Sequence, residues 1–443
     1  MAKKMDERRE YRRKRRIRNQ ILAYLTLIVL LILLIVGGFQ GVKRLVGQLH
    51  REETQEAQTG AEESVQPPAE GGTISTPDPV EDFTETPTEA PEGSDSDPAM
   101  QALLEGMTIE QKVDGLFVVS PEALTNVDRA TRAGDGTRSA LDEHAVGGIL
   151  YTSENVTDAA QFKEMISTTK DMYRELYSRP VLTFVREEGA YNTIAGSRTG
   201  VEAVSSAAEL GGSGNRENAA EAFKTIGTYL AEYGIDVDLA PAAAVKTAEN
   251  AWLKDRCFSD DADIAASMTG AAIEGMAETG VISCLTSFPG EGGLEADVEK
   301  GAGATQKSMD ELRDCEFVPF REGIEAGVPM VMVSAMQAPA AGVEVPCMLS
   351  ETMVSQELRE GLGFAGVIIT APLEQIPSSA GIDMGAAAKM ALLAGADMIT
   401  VLKHDDYDAA RTAILEAVNS GEISEERLEE SLIRIYSMEL DRN

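Results

Sequence analysis

The sequence predicts an α/β fold, a (β/α)₈ TIM-like barrel that follows an N-terminal transmembrane helix and a disordered stalk. Three observations support this prediction. A long apolar run directly follows a basic N-terminus, and a segment rich in Glu, Thr, Pro, Ser and Gly comes next. Beyond it, short β-rich runs alternate with amphipathic helical segments. The chain therefore divides into residues 1–20, 21–39, 40–98 and 99–443.

The basic tail, residues 1–20, differs in charge from the rest of the chain. Residues 1–18 contain ten Lys or Arg and three acidic residues, a local charge of +7. The whole chain has a net charge of −35, so the remaining residues carry the difference, −42. A surface that acidic repels nucleic acid, which requires a basic footprint. The charge excludes a nucleic-acid partner and favours neutral or cationic ones.

Residues 21–39 are apolar or glycine apart from Tyr24 and Thr26. Their length is close to the roughly 20 residues that a helix needs to cross a membrane. The basic residues ahead of this run indicate a cytoplasmic N-terminus. A cleaved signal peptide is the alternative, but Gly37-Gly38-Phe39-Gln40 is a poor cleavage site. We predict a single-pass cell-membrane protein with an extracytoplasmic barrel.

Residues 40–98 form an acidic segment rich in Pro, Thr and Glu, with few large apolar side chains. Such a segment cannot bury enough apolar surface to offset the entropy lost on ordering. It predicts a disordered stalk that holds the barrel away from the membrane.

Eight β-rich apolar runs begin after the stalk, and helical segments separate them. Eight βα repeats favour a closed barrel over an open sheet. The last helix, residues 424–440, opens at Ser424 as a plausible N-cap. The predicted strands are 116–119, 148–151, 181–185, 237–240, 282–286, 330–334, 367–370 and 398–402, and the predicted helices include 157–177, 216–233, 261–279 and 308–326.

The four cysteines, at positions 257, 284, 315 and 347, fit no zinc-binding spacing. Two interpretations remain open at this point: four free, buried thiols, or disulfides in an extracytoplasmic domain. We predict neither a metal site nor a cofactor.

The segment Ser287-Phe288-Pro289-Gly290-Glu291-Gly292 resembles the Lys-His-Phe-Pro-Gly-His-Gly signature of glycoside hydrolase family 3, in its β-N-acetylhexosaminidase branch. Further segments resemble the same family in the same order along the chain: 107–113, 147–150, 316–321, 327–332, 363–370 and 394–398. The resemblance implies a TIM-like barrel with its site on the loops that follow the strands.

The resemblance also implies where a sugar hydrolase of this family would carry its reacting groups. The family's Asp nucleophile follows the seventh strand, where this chain has Ala371. Its acid/base His lies on a mobile loop, where this chain has Glu299, although the partner acid remains as Asp297. A retaining glycosidase requires both a nucleophile and a proton donor. The inherited reaction is therefore not expected.

Positions that bind the sugar in this family are altered as well. Arg186 stands where the family has a carboxylate, Glu291 stands where it has a His, and Arg256 alone fits the pattern well. A structural ion pair with Asp260 or Asp261 is the other interpretation of Arg256. The family's remaining site positions correspond here to Thr286, Ser287, Ala243 or Ala244, and Ser334-Ala335-Met336.

Carboxylates that remain near the predicted pocket mouth are the candidates for any residual chemistry. The candidate catalytic residues are Glu188, Glu291, Glu299 and Asp297, and the candidate ligand-binding residues are Arg256, Glu188, Phe288, Gly290 and Arg186. Glu187, Glu295 and Glu374 are also expected near the mouth. His404 follows the last strand, where it either faces the pocket or is solvated.

Three functions fit these observations. The first is a membrane-anchored pseudo-glycosidase that binds a glycan or a cell-wall partner, such as a peptidoglycan fragment. The second is an active hydrolase of N-acetylglucosamine-containing glycans that uses relocated carboxylates. The third is a cell-surface scaffold with no sugar site, whose protein partner the sequence does not identify. Fold alone does not decide among them.

Overall fold

The computed structural model describes residues 98–249, 251–301 and 303–440, and the side chains up to residue 438. The tail, the transmembrane helix and nearly all of the stalk predicted for residues 1–98 lie outside this part and stay predictions. Within the described ranges, no helix is both long enough and apolar enough to span a bilayer.

Eight parallel strands form the barrel that the sequence predicts, in the order β7-β6-β5-β4-β3-β2-β1-β8. All eight are short, and their side chains are almost entirely buried. They are β1 (Phe117–Val119), β2 (Gly148–Leu150), β3 (Leu182–Val185), β4 (Val237–Asp238), β5 (Ile282–Phe288), β6 (Met330–Val333), β7 (Val367–Thr370) and β8 (Ile399–Val401).

The seam between β7 and β8 closes the barrel with fewer backbone contacts than the other pairs. One bridge joins Ile369 to Met398, whereas β6 and β7 pair over four residues. Side chains supplement the seam: the Thr400 hydroxyl donates to the Thr370 carbonyl at 2.9 Å. At its upper end the Glu374 carboxylate accepts from the amides of Leu402 and Lys403, at 2.7 and 2.8 Å.

Helices connect the strands and cover the outside of the barrel. The predicted helices at 157–177, 216–233 and 261–279 are confirmed to within two residues at each end. The α-helices are α1 (Pro98–Glu105), α2 (Ile109–Asp114), α3 (Pro121–Thr125), α4 (Asp135–Glu143), α5 (Ala159–Tyr177), α6 (Ala207–Gly212), α7 (Arg216–Tyr233), α8 (Ala262–Ala277), α9 (Met309–Glu311), α10 (Phe317–Glu325), α11 (Met384–Ala394), α12 (His404–Ser420) and α13 (Glu425–Leu440).

The segment predicted as one helix at 308–326 is interrupted. A widened π-helical turn, Leu312–Glu316, separates α9 from α10. Pro319 lacks an amide hydrogen and cannot donate to the carbonyl of Cys315, four residues earlier. The wider turn accommodates that missing bond. A second π-helical segment, Thr352–Gly361, precedes β7.

The two ends of the described barrel contact each other. Lys112 in α2 lies 2.6 Å from the carboxylate of Glu425 and 2.5 Å from that of Glu429, both in α13. Ser424 caps α13 as predicted, because its hydroxyl accepts from the Arg427 amide at 3.2 Å.

All four cysteines are free thiols. Cys257, Cys284 and Cys347 are buried and Cys315 is half-buried. The interpretation as free thiols is therefore confirmed, with Cys315 less buried than expected.

Candidate functional site

A cavity of about 340 Å³ opens where the strands end, on the face that carries chemistry in barrels of this kind. Most of its polar lining consists of hydroxyl and amide groups, and its charged lining residues are Arg186 and Glu299. The loops after β2, β3, β4, β5, β7 and β8 contribute Leu150, Tyr151, Thr152, Ser153, Arg186, Tyr191, Asn192, Thr193, Leu239, Glu299, Pro372, Gln375 and Leu402.

Two arginines and two glutamates form a compact ion-pair network beside this cavity. Arg256 donates to both carboxylate oxygens of Glu188, through Nε and through Nη2, the latter at 2.9 Å. Arg186 Nη1 donates to Glu299 Oε1 at 2.5 Å, and Arg256 Nη1 lies 3.6 Å from the same oxygen. Two positive and two negative charges make the network neutral.

Burial and ring contacts hold the network in place. Burial alone would lower the pKa of Arg256, but the charge and hydrogen bonds of Glu188, together with Glu299, outweigh it and raise that pKa above its ordinary value. The Arg256 guanidinium also lies 4.8 Å from the Tyr191 ring centre and 5.2 Å from that of Trp252. Contacts of this kind stabilise a charged guanidinium. Arg256 therefore remains a permanent cation.

Arg256 pairs with a different acid from the two that the sequence suggested. Asp261 is occupied as the N-cap of α8, where it accepts from the amides of Asp263 and Ile264 at 3.0 Å each. Glu188, which is remote in sequence, takes the guanidinium instead. The predicted ion pair with Asp260 or Asp261 is therefore wrong, although a structural ion pair is present.

Glu299 lies on the loop after β5, in the short helical turn Val298–Lys300. Asp297 caps that turn by accepting from the Glu299 amide at 3.0 Å, and it also binds Lys300 Nζ at 2.6 Å. Asp297 is thus bound within its own loop. It does not line this cavity, although it lines a neighbouring cleft together with Glu299.

Glu291 follows β5 and is buried, with 6% of its surface exposed. The Ser334 hydroxyl donates to its Oε1 at 2.5 Å. Burial raises the pKa of Glu291 to about 7, against the opposing effects of the Ser334 hydrogen bond and of the charges of Arg256 and Arg186. A carboxyl group with this pKa exchanges a proton near neutral pH, as a general acid requires.

Glu291→Gln is expected to remove part of the pH dependence of stability. Folding raises the pKa of Glu291 from 4.5 to about 7. The stability that the protonated side chain contributes is therefore fully present below pH 4.5, and it is lost as the pH rises through about 7. Between pH 4.5 and pH 8 the wild type should therefore lose about 2–3 kcal/mol of unfolding free energy that Glu291→Gln does not lose.

Urea unfolding of both proteins at these two pH values measures the difference. The matched control is Glu295→Gln, because Glu295 is an exposed glutamate of the same loop after β5. Parallel pH profiles for wild type and Glu291→Gln would contradict a neutral, buried Glu291.

Several predicted site residues serve the scaffold instead. Glu187 is fully buried and accepts from the amides of Ile194 and Ala195, at 3.1 and 2.9 Å, and from the Tyr229 hydroxyl at 3.1 Å. It anchors the loop after β3. Glu374 braces the β7–β8 seam, and Glu295 is exposed to solvent. Of the glutamates expected at the mouth, Glu299 alone lines the cavity.

Phe288 and Gly290 fix the loop shape and are not placed to bind a ligand. Phe288 is fully buried, with its ring centre 4.7 Å from that of Phe317 and 5.2 Å from that of Phe320. Gly290 has a φ of 124°, and a Cβ there would lie 2.9 Å from the Glu316 side chain. The prediction that Phe288 and Gly290 bind a ligand is therefore corrected, because both residues face packed protein.

The strand-end positions at which the resemblance implies reacting or sugar-binding groups hold small, uncharged side chains. Ala371, after β7, is buried, and its amide donates to the Val333 carbonyl at 2.9 Å. Ala243, Ala244 and Ser334 are buried too. Thr286 is buried, and its hydroxyl has no hydrogen-bond partner in the described part of the chain. Ala371 supplies no nucleophilic atom to the mouth of the barrel.

The aromatic residues of the site were missed by the sequence analysis. Tyr191 lines the cavity with 44% of its surface exposed, and Trp252 packs on Arg256. Trp252 is the single tryptophan of the chain. A rare aromatic residue within a polar loop is the signal that would have found it.

His404 lies at the start of α12, outside the lining of the cavity. Its Nδ1 is 2.8 Å from the Ala123 carbonyl oxygen, and its Nε2 is 3.4 Å from Asp408. In residues 98–440, apart from 250 and 302, no cluster of three His, Cys, Asp or Glu side chains suits a metal ion.

Comparisons with known proteins point to one family. The model of the glycosyl hydrolase family 3 N-terminal domain matches residues 108–438. A β-hexosaminidase of Thiobacillus denitrificans is 26% identical over 282 residues, which cover 62% of this chain and 77% of that protein. A β-hexosaminidase of Stenotrophomonas maltophilia is 30% identical over 181 residues, which cover 41% and 53% of the two chains.

Solved structures agree with these matches. A glycoside hydrolase family 3 β-N-acetylglucosaminidase from Paenibacillus superposes with a TM-score of 0.70 and 30% identity, over 76% of this chain and 63% of that one. The chain thus spans somewhat less than two thirds of that structure. A β-N-acetylhexosaminidase from Beutenbergia cavernae, with a TM-score of 0.64 and 24% identity, shares the fold.

Proposed function

Because residues 108–438 match the N-terminal domain of glycosyl hydrolase family 3, the chain belongs to that family, and we propose that it is a pseudo-glycosidase. In this proposal it binds a glycan at the mouth of its barrel without cleaving it. Its relatives are β-hexosaminidases, which makes an N-acetylated amino sugar the first ligand to test.

The observation that carries this proposal is the ion pair between Arg186 and Glu299 at the cavity. Both residues depart from the family pattern, and their charges are complementary at 2.5 Å. Glu299 therefore faces two guanidiniums, with one hydrogen bond to Arg186 and with Arg256 Nη1 3.6 Å away. With Ala371 at the end of β7, the cavity lacks the inherited nucleophile that a retaining glycosidase requires, and the carboxylate of its lining is paired with arginine.

Glycan binding is supported by the lining of the cavity. Thr152, Asn192 and Gln375 offer hydroxyl and amide groups of the kind that pair with sugar hydroxyls. The half-exposed ring of Tyr191 supplies an apolar face beside them. The cavity volume lies within the range of small-ligand pockets, roughly 300–1,000 Å³.

The full chain should bind N-acetylglucosamine-containing cell-wall fragments yet release no product from an aryl N-acetyl-β-glucosaminide. Thermal-shift titration measures the binding, and absorbance of the released phenol measures the hydrolysis. Tyr191→Ala should weaken binding, whereas Leu393→Ala, at an exposed site on α11, should not. Turnover above the protein-free control would overturn the proposal, and neither binding nor turnover would favour the scaffold hypothesis.

Hydrolysis by relocated carboxylates is the second candidate, and Glu291 favours it. Its raised pKa suits a general acid near neutral pH. In that case Glu291→Gln would abolish turnover while Glu295→Gln would preserve it.

We also propose that the protein is anchored in the cell membrane by residues 21–39, with the barrel outside the cytoplasm. The basic run at 8–18 and the apolar run that follows support this. Membrane fractionation of cells that express the full chain or a chain starting at residue 40 tests it. Equal recovery of both in the soluble fraction would contradict the anchor.

A further inference from the structure

Glu299 occupies the place that a ligand carboxylate would take between two arginines. Its Oε1 accepts from Arg186 Nη1 at 2.5 Å and lies 3.6 Å from Arg256 Nη1. We infer that the cavity takes a sugar that bears a carboxylate, and that this carboxylate displaces Glu299 from the arginines. The inference rests on the proposed function, because it names the class of glycan that the same site binds.

The charges of the network favour an anion once Glu299 has left. Among the four side chains of the network, Glu188 neutralises one guanidinium through two hydrogen bonds, so the departure of Glu299 leaves one net positive charge on these three residues. The buried carboxyls of Glu291 and Asp238 lie within the electrostatic range of Arg186, and burial raises the pKa of both. No other cavity-lining residue is charged. An uncompensated cation at a partly buried site is costly, so the protein or a ligand must supply a carboxylate there.

Arg186 has a donor that Glu299 does not use. Its Nε is buried and has no hydrogen-bond partner in the described part of the chain, since Glu188 Oε1 lies 3.9 Å away. A guanidinium binds a carboxylate best through two parallel N–H groups. In a guanidinium the Nε–H runs parallel to an Nη2–H, and Arg256 binds Glu188 through this pair. A ligand carboxylate that engages Nε and Nη2 of Arg186 would therefore satisfy the donor that Glu299 leaves without a partner.

Glu299 is the carboxylate of the network that can move. Its side chain is 29% exposed, whereas that of Glu188 is 2% exposed. The loop continues into Gly301 and Gly303, with φ values of 70° and 146°, a backbone region that glycine enters freely.

A second cleft gives the displaced side chain somewhere to go. This cleft of about 630 Å³ shares Tyr191 and Glu299 with the cavity. Its other charged lining residues are Lys254, Asp255, Arg256, Asp297 and Lys300. A rotated Glu299 would leave Arg186 for a cleft whose cations include Arg256 and Lys254, whereas Lys300 is paired with Asp297 at 2.6 Å. In the absence of ligand, the Glu299 carboxylate thus occupies the position at the two arginines that the ligand carboxylate would take.

The test compares sugars that differ by one carboxylate. Isothermal titration of the full chain is performed with D-glucose and D-glucuronate, and with N-acetylglucosamine and N-acetylmuramic acid. Glu299→Gln should bind the carboxylate-bearing member of each pair about tenfold or more tightly than the wild type does, since a hydrogen bond to a charged group is worth that factor. The quantity compared is the ratio of the two affinities within each pair, which should rise about tenfold or more in Glu299→Gln.

Two controls separate this effect from a general change of charge. Glu295→Gln removes one negative charge from the same loop at an exposed position and should leave all four affinities unchanged. Adding Arg186→Ala to Glu299→Gln should abolish the gain. Lactate, a carboxylate without a sugar ring, should bind neither variant at the concentrations used.

The outcomes also distinguish this inference from the proposed function. If neutral sugars bind and Glu299→Gln gives no gain for their carboxylate-bearing partners, the inference fails and the proposed function stands. An equal gain for lactate would overturn the requirement for a sugar. If no sugar binds to any variant, both proposals fail together.

Discussion

Replacing Arg256 by methionine is expected to destabilise the barrel by about 3–5 kcal/mol, the cost of leaving a buried carboxylate without its partner. Glu188 would lose two charge-assisted hydrogen bonds while its side chain stays 98% buried. The rings of Tyr191 and Trp252 would lose their cation as well. The midpoint and slope of urea unfolding measure the change.

Two variants show whether burial is the cause. Arg216→Met breaks an ion pair with Glu274 in which both side chains are about half exposed, and it should cost less than about 1 kcal/mol. Combining Arg256→Met with Glu188→Leu should recover much of the loss, because the buried charge is removed with its partner. Equal losses for the Arg216 and Arg256 variants would contradict the description of this pair as buried and coupled.

Phe288→Ala is expected to cost about 3–5 kcal/mol, the range measured when large aromatic side chains are removed from cores. Phe288 has no exposed surface, and its ring contacts those of both Phe317 and Phe320. These residues join the end of β5 to α10, so the cavity left by alanine is walled by two rigid rings. Thermal unfolding and urea unfolding both measure the loss.

The matched control is Leu393→Ala, which removes a large apolar side chain that is 51% exposed. It should change the free energy of unfolding by no more than about 0.5 kcal/mol. A small effect of Phe288→Ala would mean that the ring is not packed as the structure has it, and would return Phe288 to the list of possible ligand contacts.

The strands were predictable because buried parallel strands are continuous apolar runs. Val367–Thr370 matches its prediction to the residue. The prediction was less accurate for β4, which ends at Asp238 rather than residue 240. β5 instead runs on to Phe288, whose carbonyl accepts from the Ser334 amide at 2.8 Å.

The site was predictable only in part, because its geometry depends on loops that meet in space. The sequence placed Arg186, Glu188, Arg256 and Glu299 at the strand ends, and the structure brings all four into one network. The sequence did not indicate which acidic residue each arginine would pair with. Glu187 and Glu188 are neighbours in sequence, yet one anchors a loop through backbone amides and the other binds Arg256. That difference follows from side-chain direction, which sequence spacing does not specify in a loop.

The β7–β8 seam has a consequence for the motions of the barrel. Where the backbone ladder is sparse, local opening costs less free energy, and amide hydrogens exchange with solvent sooner. At the top of the seam the amides of Leu402 and Lys403 depend on a single side chain, Glu374. Leu402 and Pro372, on the two sides of this seam, both line the cavity. A ligand bound in the cavity should therefore slow hydrogen exchange at the amides of Leu402 and Lys403. These two residues lie more than 200 positions from Arg186 along the chain.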